Sequence, residues 1–282
     1  MLLFLNIISS VLSLIPRRIC LLLGRVFGIT IYYFGVRKEV CRVNLKIAFP
    51  QYSFNKRESI LVDCYKHFGM VAFDFLSQKS INKNNFKNYF VFDDNLLKKL
   101  KNADGGCILT AHIGNWESIG PFFGLSNLNL DIVMKEQRNQ AVNQFYEKIR
   151  DYSTINLIWK KQSIDKLYKA LNQNRFIGLA SDQNAGKKGY RGIFFNEVSS
   201  FPKGAGIFYS RTKCKIFFLI SILGSDFKYH IINKEITIDS SENKEEIISE
   251  LNDIYISYLE KKITQFPHQY FWFHKKWDMS KY

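Results

Sequence analysis

The 282-residue chain is long enough to bury a large core, and no internal repeat or low-complexity tract divides it. Its 40 basic and 25 acidic residues give a formal charge of +15, which indicates an anionic partner. With 46% hydrophobic and 16% aromatic residues, that partner is expected to be an anionic membrane surface. Nucleic acid is disfavoured because the sequence contains no zinc-finger, RNP or helix-turn-helix pattern. The five scattered cysteines, without a C-x-x-C pair, are typical of reduced thiols in the cytoplasm.

The amino-terminal 36 residues contain two apolar stretches, residues 1–15 and 19–36, separated by Pro16 and two arginines. Neither stretch clearly reaches the roughly 20 apolar residues of a comfortable membrane span. A cleaved signal peptide is disfavoured because the basic residues follow the apolar core. We predict a membrane anchor over residues 1–36, which either spans the membrane once or lies in it, with its basic residues at the cytoplasmic face. A buried core helix is the alternative.

Residues 37–282 have the pattern of one α/β domain. A helix is predicted over Ser59–Leu76, and further helices are predicted near residues 140–150, 163–173 and 244–263. The candidate strands are Cys107–Ala111, Leu130–Met134, Ile155–Trp159, Phe176–Ser181 and Lys215–Ile222. This alternation predicts a single mixed sheet flanked by helices. Residues 184–203 lack a clear periodicity, and we expect them to form a loop over the site.

The run His112-Ile113-Gly114-Asn115-Trp116-Glu117 follows the first candidate strand. On a continuous helix this spacing would place His112 and Glu117 roughly 140° apart. Gly114 allows a tight turn and Asn115 is a preferred N-cap, so Glu117 is predicted in the first helical turn. His112 then lies at the carboxyl end of a strand, where α/β sheets bind ligands. We predict that His112 is a general base and that Glu117 orients it and stabilises its protonated form.

Two other interpretations of these residues are a metal site and a structural histidine. Zinc usually takes three or four protein ligands, and the chain has no H-E-x-x-H motif. We therefore expect neither a metal nor another cofactor. Cys107, in the strand before His112, is expected to be a buried apolar residue rather than a nucleophile.

The stretch from Leu109 to Glu117 resembles the H-x4-[DE] block of the glycerolipid acyltransferase superfamily. Its flanks are similar to those of the late acyltransferases of lipid A biosynthesis, the lauroyl/myristoyl transferases. Further blocks that resemble this family follow its order, namely Arg42-Val43-Asn44-Leu45 with Ala48-Phe49-Pro50, Ser181-Asp182-Gln183, Phe194-Phe195, and Pro267 to Trp277. The chain departs from the family at Lys135, where an arginine is usual, at Gln140, where proline is usual, and at Asn196, where glycine is common.

The resemblance implies transfer of a fatty acyl chain from acyl carrier protein to a hydroxyl of a lipid A precursor, which forms an acyloxyacyl ester. It also implies a place at the bacterial inner membrane, with the catalytic domain facing the cytoplasm. His112 would deprotonate the acceptor hydroxyl, which attacks the thioester carbonyl directly, without an acyl-enzyme. The substrate-binding residues expected beside His112 and Glu117 are Asn115, Lys135, Asn139, Arg150, Asp182, Gln183 and His274.

Several alternatives stay open at this point. The acceptor could be another glycolipid or a lysophospholipid, with acyl-CoA as donor, or the chain could be a non-catalytic lipid-binding membrane protein. Asp182 could be a turn-capping residue, and Trp272 is expected to pack in the core. A concentration of cations could dock an acidic carrier protein or rest on anionic lipid. Its members are Lys187, Lys188, Arg191, Lys203, Arg211, Lys213 and Lys215.

Overall fold

The computed structural model describes residues 1–159, 163–239 and 243–282. The helices are α1 Leu2–Leu14, α2 Arg17–Tyr33, α3 Lys38–Ala48, α4 Phe54–Leu76, α5 Phe86–Tyr89, α6 Asp94–Lys101, α7 Ile119–Leu125, α8 Gln140–Ile149, α9 Ser163–Asn172, α10 Gly204–Thr212 and α11 Lys244–Gln265. The strands are β1 Phe90–Val91, β2 Gly106–Thr110, β3 Leu130–Met134, β4 Ile155–Trp159, β5 Phe176–Ala180, β6 Tyr190–Phe194, β7 Glu197–Phe201, β8 Ile216–Leu223 and β9 Tyr229–Ile236.

Seven strands form one mixed sheet in the order β1-β9-β8-β2-β5-β3-β4. Only β8 and β9 pair antiparallel among these neighbours. The predicted α/β fold with a mixed sheet is therefore confirmed, as are the five candidate strands to within one residue at each end. The strands β1 and β9, at one edge of the sheet, were not predicted.

The sheet separates two hydrophobic cores, because successive side chains of a strand point to opposite faces. In β2, Ile108 packs into the core that contains Phe122 and Phe123, whereas Cys107 and Leu109 pack into the other. All five residues of β2 are buried, as expected for a strand in the middle of a covered sheet. Cys107 is completely buried and Trp272 is 1% exposed, so the predicted packing roles of both residues are confirmed.

The amino-terminal helix α2 packs closely against α4. A Cβ atom on Gly69 of α4 would lie 2.1 Å from the carbonyl oxygen of Gly24 in α2, so this crossing requires glycine. The opposite side of α2 is apolar and exposed at residues such as Leu22 and Val26. No single described helix is long and apolar enough to cross a bilayer; α2 and α3 meet that criterion only together, with a bend of 95° between them. The membrane anchor over residues 1–36 stays a prediction.

The expected loop over residues 184–203 is instead largely a β-hairpin, formed by β6 and β7. Its two-residue turn, Phe195-Asn196, has positive φ angles of 51° and 60°, as hairpin turns of type I′ require. Asparagine tolerates this left-handed backbone better than most residues. Asn196 therefore fits a position where the resembling family commonly has glycine.

Candidate active site

The turn after β2 has the predicted strand–turn–helix geometry. Gly114 has a φ of +63°, and a Cβ atom there would lie 1.9 Å from the carbonyl oxygen of Ser221. The side-chain oxygen of Asn115 accepts a hydrogen bond of 3.1 Å from the backbone N–H of Glu117. Glu117 lies in the single 3₁₀ turn Trp116–Ser118 that precedes α7.

The carboxylate that holds His112 is Asp182, and this corrects the partner predicted from the sequence. Nδ1 of His112 is 2.7 Å from Oδ1 of Asp182, and the backbone N–H of His112 donates to Oδ2 at 3.0 Å. The sheet explains the pair, since β2 and β5 are parallel neighbours with Thr110 opposite Ala180. Each partner lies two residues beyond the end of its strand, at the carboxyl edge of the sheet.

Glu117 is bonded to Arg150 instead. The Nε and Nη2 atoms of Arg150 lie 2.9 and 2.6 Å from the two carboxylate oxygens of Glu117, which is a bidentate ion pair. The guanidinium also lies over the ring of Tyr146, 4.9 Å from its centroid. The structure thus brings these two predicted residues together, but it pairs them with each other.

The charges around His112 favour its protonated form. Burial alone would lower the pKa of the imidazole, but Asp182 and, more weakly, Glu117 outweigh burial and raise that pKa above its ordinary value of 6.5. Burial would raise the pKa of Asp182, but its bonds to His112 lower that pKa and keep the carboxyl ionised. An ionised Asp182 accepts the Nδ1–H of His112, which leaves Nε2 as the nitrogen that can accept a proton.

A cavity of about 230 Å³ lies beside His112. Its polar and charged lining residues include His112, Glu117, Lys135, Gln137 and Arg150. Its apolar lining includes Ile108, Ile119, Leu130, Ile132, Val133 and Met134. Gly120 also lines the cavity, and a Cβ atom there would meet no other atom within 4 Å. A cavity with this apolar wall beside a histidine that can accept a proton fits an aliphatic chain whose reactive end lies at His112.

The other predicted binding residues have different positions. Asn115 is 2% exposed, and both ends of its carboxamide are bonded within the protein, so it supports the turn. The side-chain oxygen of Asn139 caps α8 by accepting from the backbone N–H of Ala141, and Asn139 does not line the cavity. Gln183 is half-buried and does not line the cavity. His274 lies in a separate groove, where Nε2 accepts from the backbone N–H of Asn184 at 3.3 Å.

Two side chains of α4, His67 and Asp74, support the turn between β2 and α7. Nε2 of His67 lies 3.1 Å from the carbonyl oxygen of Gly114. Burial lowers the pKa of His67 to about 3, so its imidazole is neutral at physiological pH and donates this bond from Nε2–H. Asp74 acts through Tyr229, whose hydroxyl donates to Oδ2 of Asp74 at 2.5 Å. The same hydroxyl accepts a bond of 2.8 Å from the side-chain nitrogen of Asn115.

This buried network continues into the amino-terminal helices. Arg17, the first residue of α2, forms a two-point ion pair with Asp74 at 2.9 and 3.0 Å, and its guanidinium lies 4.9 Å from the ring centroid of Tyr229. A chain of four side chains therefore joins the segment predicted as the anchor to the turn that carries Glu117. Sequence reasoning missed this chain, although a buried Asp in the apolar run of α4 was a signal that could have found it.

Tyr229→Phe tests whether this network positions the catalytic turn. Removal of the hydroxyl leaves Asn115 and Asp74 each without one buried partner, which costs about 1–3 kcal/mol of stability. We expect kcat to fall by about tenfold, because the turn that holds Glu117 is no longer fixed, with KM unchanged. Steady-state kinetics and thermal unfolding measure the two effects. Tyr258→Phe, a change outside this network, is the control; a loss of stability with unchanged kcat would contradict the positioning role.

The fold and the site define a class of protein: an α/β enzyme with a carboxylate-bound histidine at the carboxyl edge of its sheet, beside a cavity with an apolar wall. The chain belongs to the family of bacterial lipid A biosynthesis acyltransferases, whose sequence model matches residues 1–279. It is therefore an O-acyltransferase.

Two curated relatives are similar to this chain over most of its length. The lipid A biosynthesis palmitoleoyltransferase of Escherichia coli (strain K12) is 22% identical over 265 residues, which cover 92% of this chain and 84% of that protein. The lipid A biosynthesis acyltransferase of Shigella flexneri is similar to the same extent, with 22% identity over 265 residues, 92% of this chain and 84% of the relative.

Proposed function

We propose that this acyltransferase moves a fatty acyl chain from the thioester of acyl carrier protein to a hydroxyl of a lipid A precursor. The product is an acyloxyacyl ester, and the enzyme works at the bacterial inner membrane with its site towards the cytoplasm. The observation that carries the proposal is the His112–Asp182 pair, whose histidine lines the 230 Å³ cavity. The cavity would hold the donor chain with its carbonyl carbon near Nε2 of His112.

In the proposed reaction, Nε2 of His112 takes the proton of the acceptor hydroxyl while its oxygen attacks the thioester carbonyl carbon. The tetrahedral intermediate then loses the thiolate as the C–S bond breaks, and His112 gives its proton to the leaving sulfur. The products are an ester and a free thiol, and no acyl-enzyme forms. Asp182 holds the imidazole and stabilises its charged state, and the Glu117–Arg150 pair fixes a second negative charge nearby. Lys135, which also lines the cavity, would bind an acceptor phosphate.

The function is tested by mass spectrometry of lipid A from a strain that lacks the gene. We expect the loss of one secondary acyl chain, restored by the wild-type gene but not by a His112→Ala gene. The mass difference identifies the acyl length, and fragmentation identifies the acceptor hydroxyl. Unchanged lipid A would contradict the proposed acceptor and favour another glycolipid or a lysophospholipid, which purified enzyme and acyl-CoA would then test.

The proposed docking surface for the carrier protein includes Lys187, Lys188 and Arg191. All three are exposed, the lysines in the 3₁₀ turn before β6 and the arginine on β6 itself. An acidic carrier protein approaching these cations is steered by long-range attraction that salt screens. Acyl-CoA lacks an extended acidic surface, so its encounter depends on this surface much less.

Charge reversal of these three residues to glutamate is expected to lower kcat/KM for the acyl carrier protein donor by about tenfold or more at low salt. The variant should also show a flatter salt dependence, with little change for the same chain on CoA. Both donors are measured across a salt series at fixed acceptor concentration. Reversal of the exposed cations Lys98, Lys99 and Lys101 of α6 is the matched control. Equal losses for both donors, or no loss, would exclude this surface as the docking site.

A further inference from the structure

A second apolar groove, of about 410 Å³, lies between α2, α4 and the segment that follows α11. Its apolar walls include Phe27, Ile31, Phe68, Phe271 and Phe273. Its charged or titratable lining residues are Arg37, Tyr65 and His274. The groove is open towards the exposed side of the amino-terminal helices, where Phe27 is 45% and Val36 is 50% exposed.

An aromatic partition separates this groove from the cavity beside His112. Trp116 lines that cavity, and its ring lies 5.9 Å from Phe68 and 5.7 Å from Phe271, both of which line the groove. His112 is at the edge of the partition, since its ring lies 4.8 Å from Trp116 and 6.2 Å from Phe271. The backbone N–H of Phe271 also donates to the carbonyl oxygen of His112 at 2.9 Å. His112 therefore lies between the cavity, which it lines, and the groove, which Phe271 lines.

The groove carries an unpaired positive charge. Arg37 is exposed, and among the described residues it forms no ion pair. Its backbone is left-handed, with φ 60° and ψ 15°, at the junction between α2 and α3. A non-glycine residue in this conformation is uncommon, and such residues cluster at ligand-binding positions. The complementary ligand is an apolar chain attached to an anionic group.

We propose that this groove binds the hydroxyacyl chain of the acceptor lipid, with an anionic group of its headgroup at Arg37. The assignment rests on the proposed function. An acyloxyacyl ester joins the carboxyl carbon of one chain to a hydroxyl on another, so two aliphatic chains must meet at His112. The donor chain occupies the 230 Å³ cavity, and the acceptor chain occupies the groove on the other side of Trp116 and Phe271. The acceptor enters from the open side of the groove, beside the exposed face of α2.

The substitution Val36→Trp, which fills part of the groove, gives a kinetic test. We expect KM for an anionic glycolipid with hydroxyacyl chains to rise about tenfold or more, because the added ring takes the space of the chain. KM for the acyl thioester and its slow hydrolysis in the absence of acceptor should not change, since the donor cavity is intact. Val26→Trp is the matched control, because Val26 is 62% exposed on α2 and does not line the groove. Arg37→Gln should weaken the binding of a phosphorylated acceptor more than the binding of its dephosphorylated form.

A binding test separates this assignment from the proposed function. The probe is the same glycolipid with a photoreactive diazirine at the end of its hydroxyacyl chain, and mass spectrometry locates the adducts on wild-type enzyme. Adducts on Phe27, Ile31 or Phe273 support the groove, whereas adducts on Ile132 or Val133 overturn it. If adducts formed in the groove but the enzyme transferred no acyl chain, the binding site would be supported and the proposed function would be contradicted. Unchanged acceptor KM in Val36→Trp would also refute the groove.

Discussion

Replacement of His112 by alanine is expected to lower kcat for acyl transfer by about two to four decades, the usual loss when a general base is removed. The His112 side chain is 19% exposed, so its removal should leave the protein folded, although stability should fall because the buried carboxylate of Asp182 loses its chief partner. Activity is measured with a radiolabelled acyl thioester, alongside thermal unfolding and fractionation.

The chain offers a control for this substitution. His230 is also paired with an aspartate, Asp226, at 3.1 Å, but it is 43% exposed and lies outside the cavity beside His112. His230→Ala should retain activity. If His112→Ala kept most of its activity, the base would have to be a different residue and the mechanism proposed here would be wrong.

The local geometry of the site was predictable because it depends on a few neighbouring residues. Gly114 needs a positive φ, and Asn115 caps the turn that carries Glu117; both properties follow from the side chains themselves. The partner of His112 was not predictable in this way. Asp182 is 70 residues away, and the contact depends on β5 being the parallel neighbour of β2. A local pattern does not determine strand order in a sheet.

For the amino-terminal segment, too, only local features could be predicted from the sequence. Its apolar composition predicted where the two helices lie, since α1 and α2 match the two apolar stretches closely. It gave no indication that Arg17 is bound to Asp74 and thereby to Tyr229 and Asn115. A buried ion pair is costly to break, because the remaining charge has no compensating partner. The segment therefore contributes to the structure around the active site as well as presenting an apolar face.

The hairpin of β6 and β7 was missed for a different reason. The alternation of buried and exposed residues that is typical of a strand is weak in β7, where the last three residues are all buried. The turn residue Phe195 is also an unusual residue at a positive φ. The pairing is nevertheless regular from Tyr190–Phe201 to Phe194–Glu197. Tertiary packing overrides local preference here, as it often does in strands.

Asp182→Asn should show which carboxylate orients the base. The amide can still contact His112, but it carries no charge and can stabilise the wrong imidazole tautomer. We expect kcat to fall by about two to four decades, comparable to losing the base itself. We also expect a His112→Ala, Asp182→Asn double mutant to lose about as much kcat as the more affected single mutant. The two losses should not add, because the two residues act as a unit.

The pH dependence of kcat/KM gives a second measurement of the same variant. The base must be neutral to accept a proton, so activity rises with pH through the pKa of His112, which lies above 6.5 in the wild-type protein. Removal of the Asp182 charge destabilises the imidazolium, so the pKa falls and the rising limb moves to lower pH. Glu117→Gln should move it in the same direction by a smaller amount, because Glu117 acts on His112 through charge alone and is itself paired with Arg150. A larger shift and a larger loss of kcat in Glu117→Gln than in Asp182→Asn would mean that Glu117 orients the base during catalysis, as the sequence alone predicted.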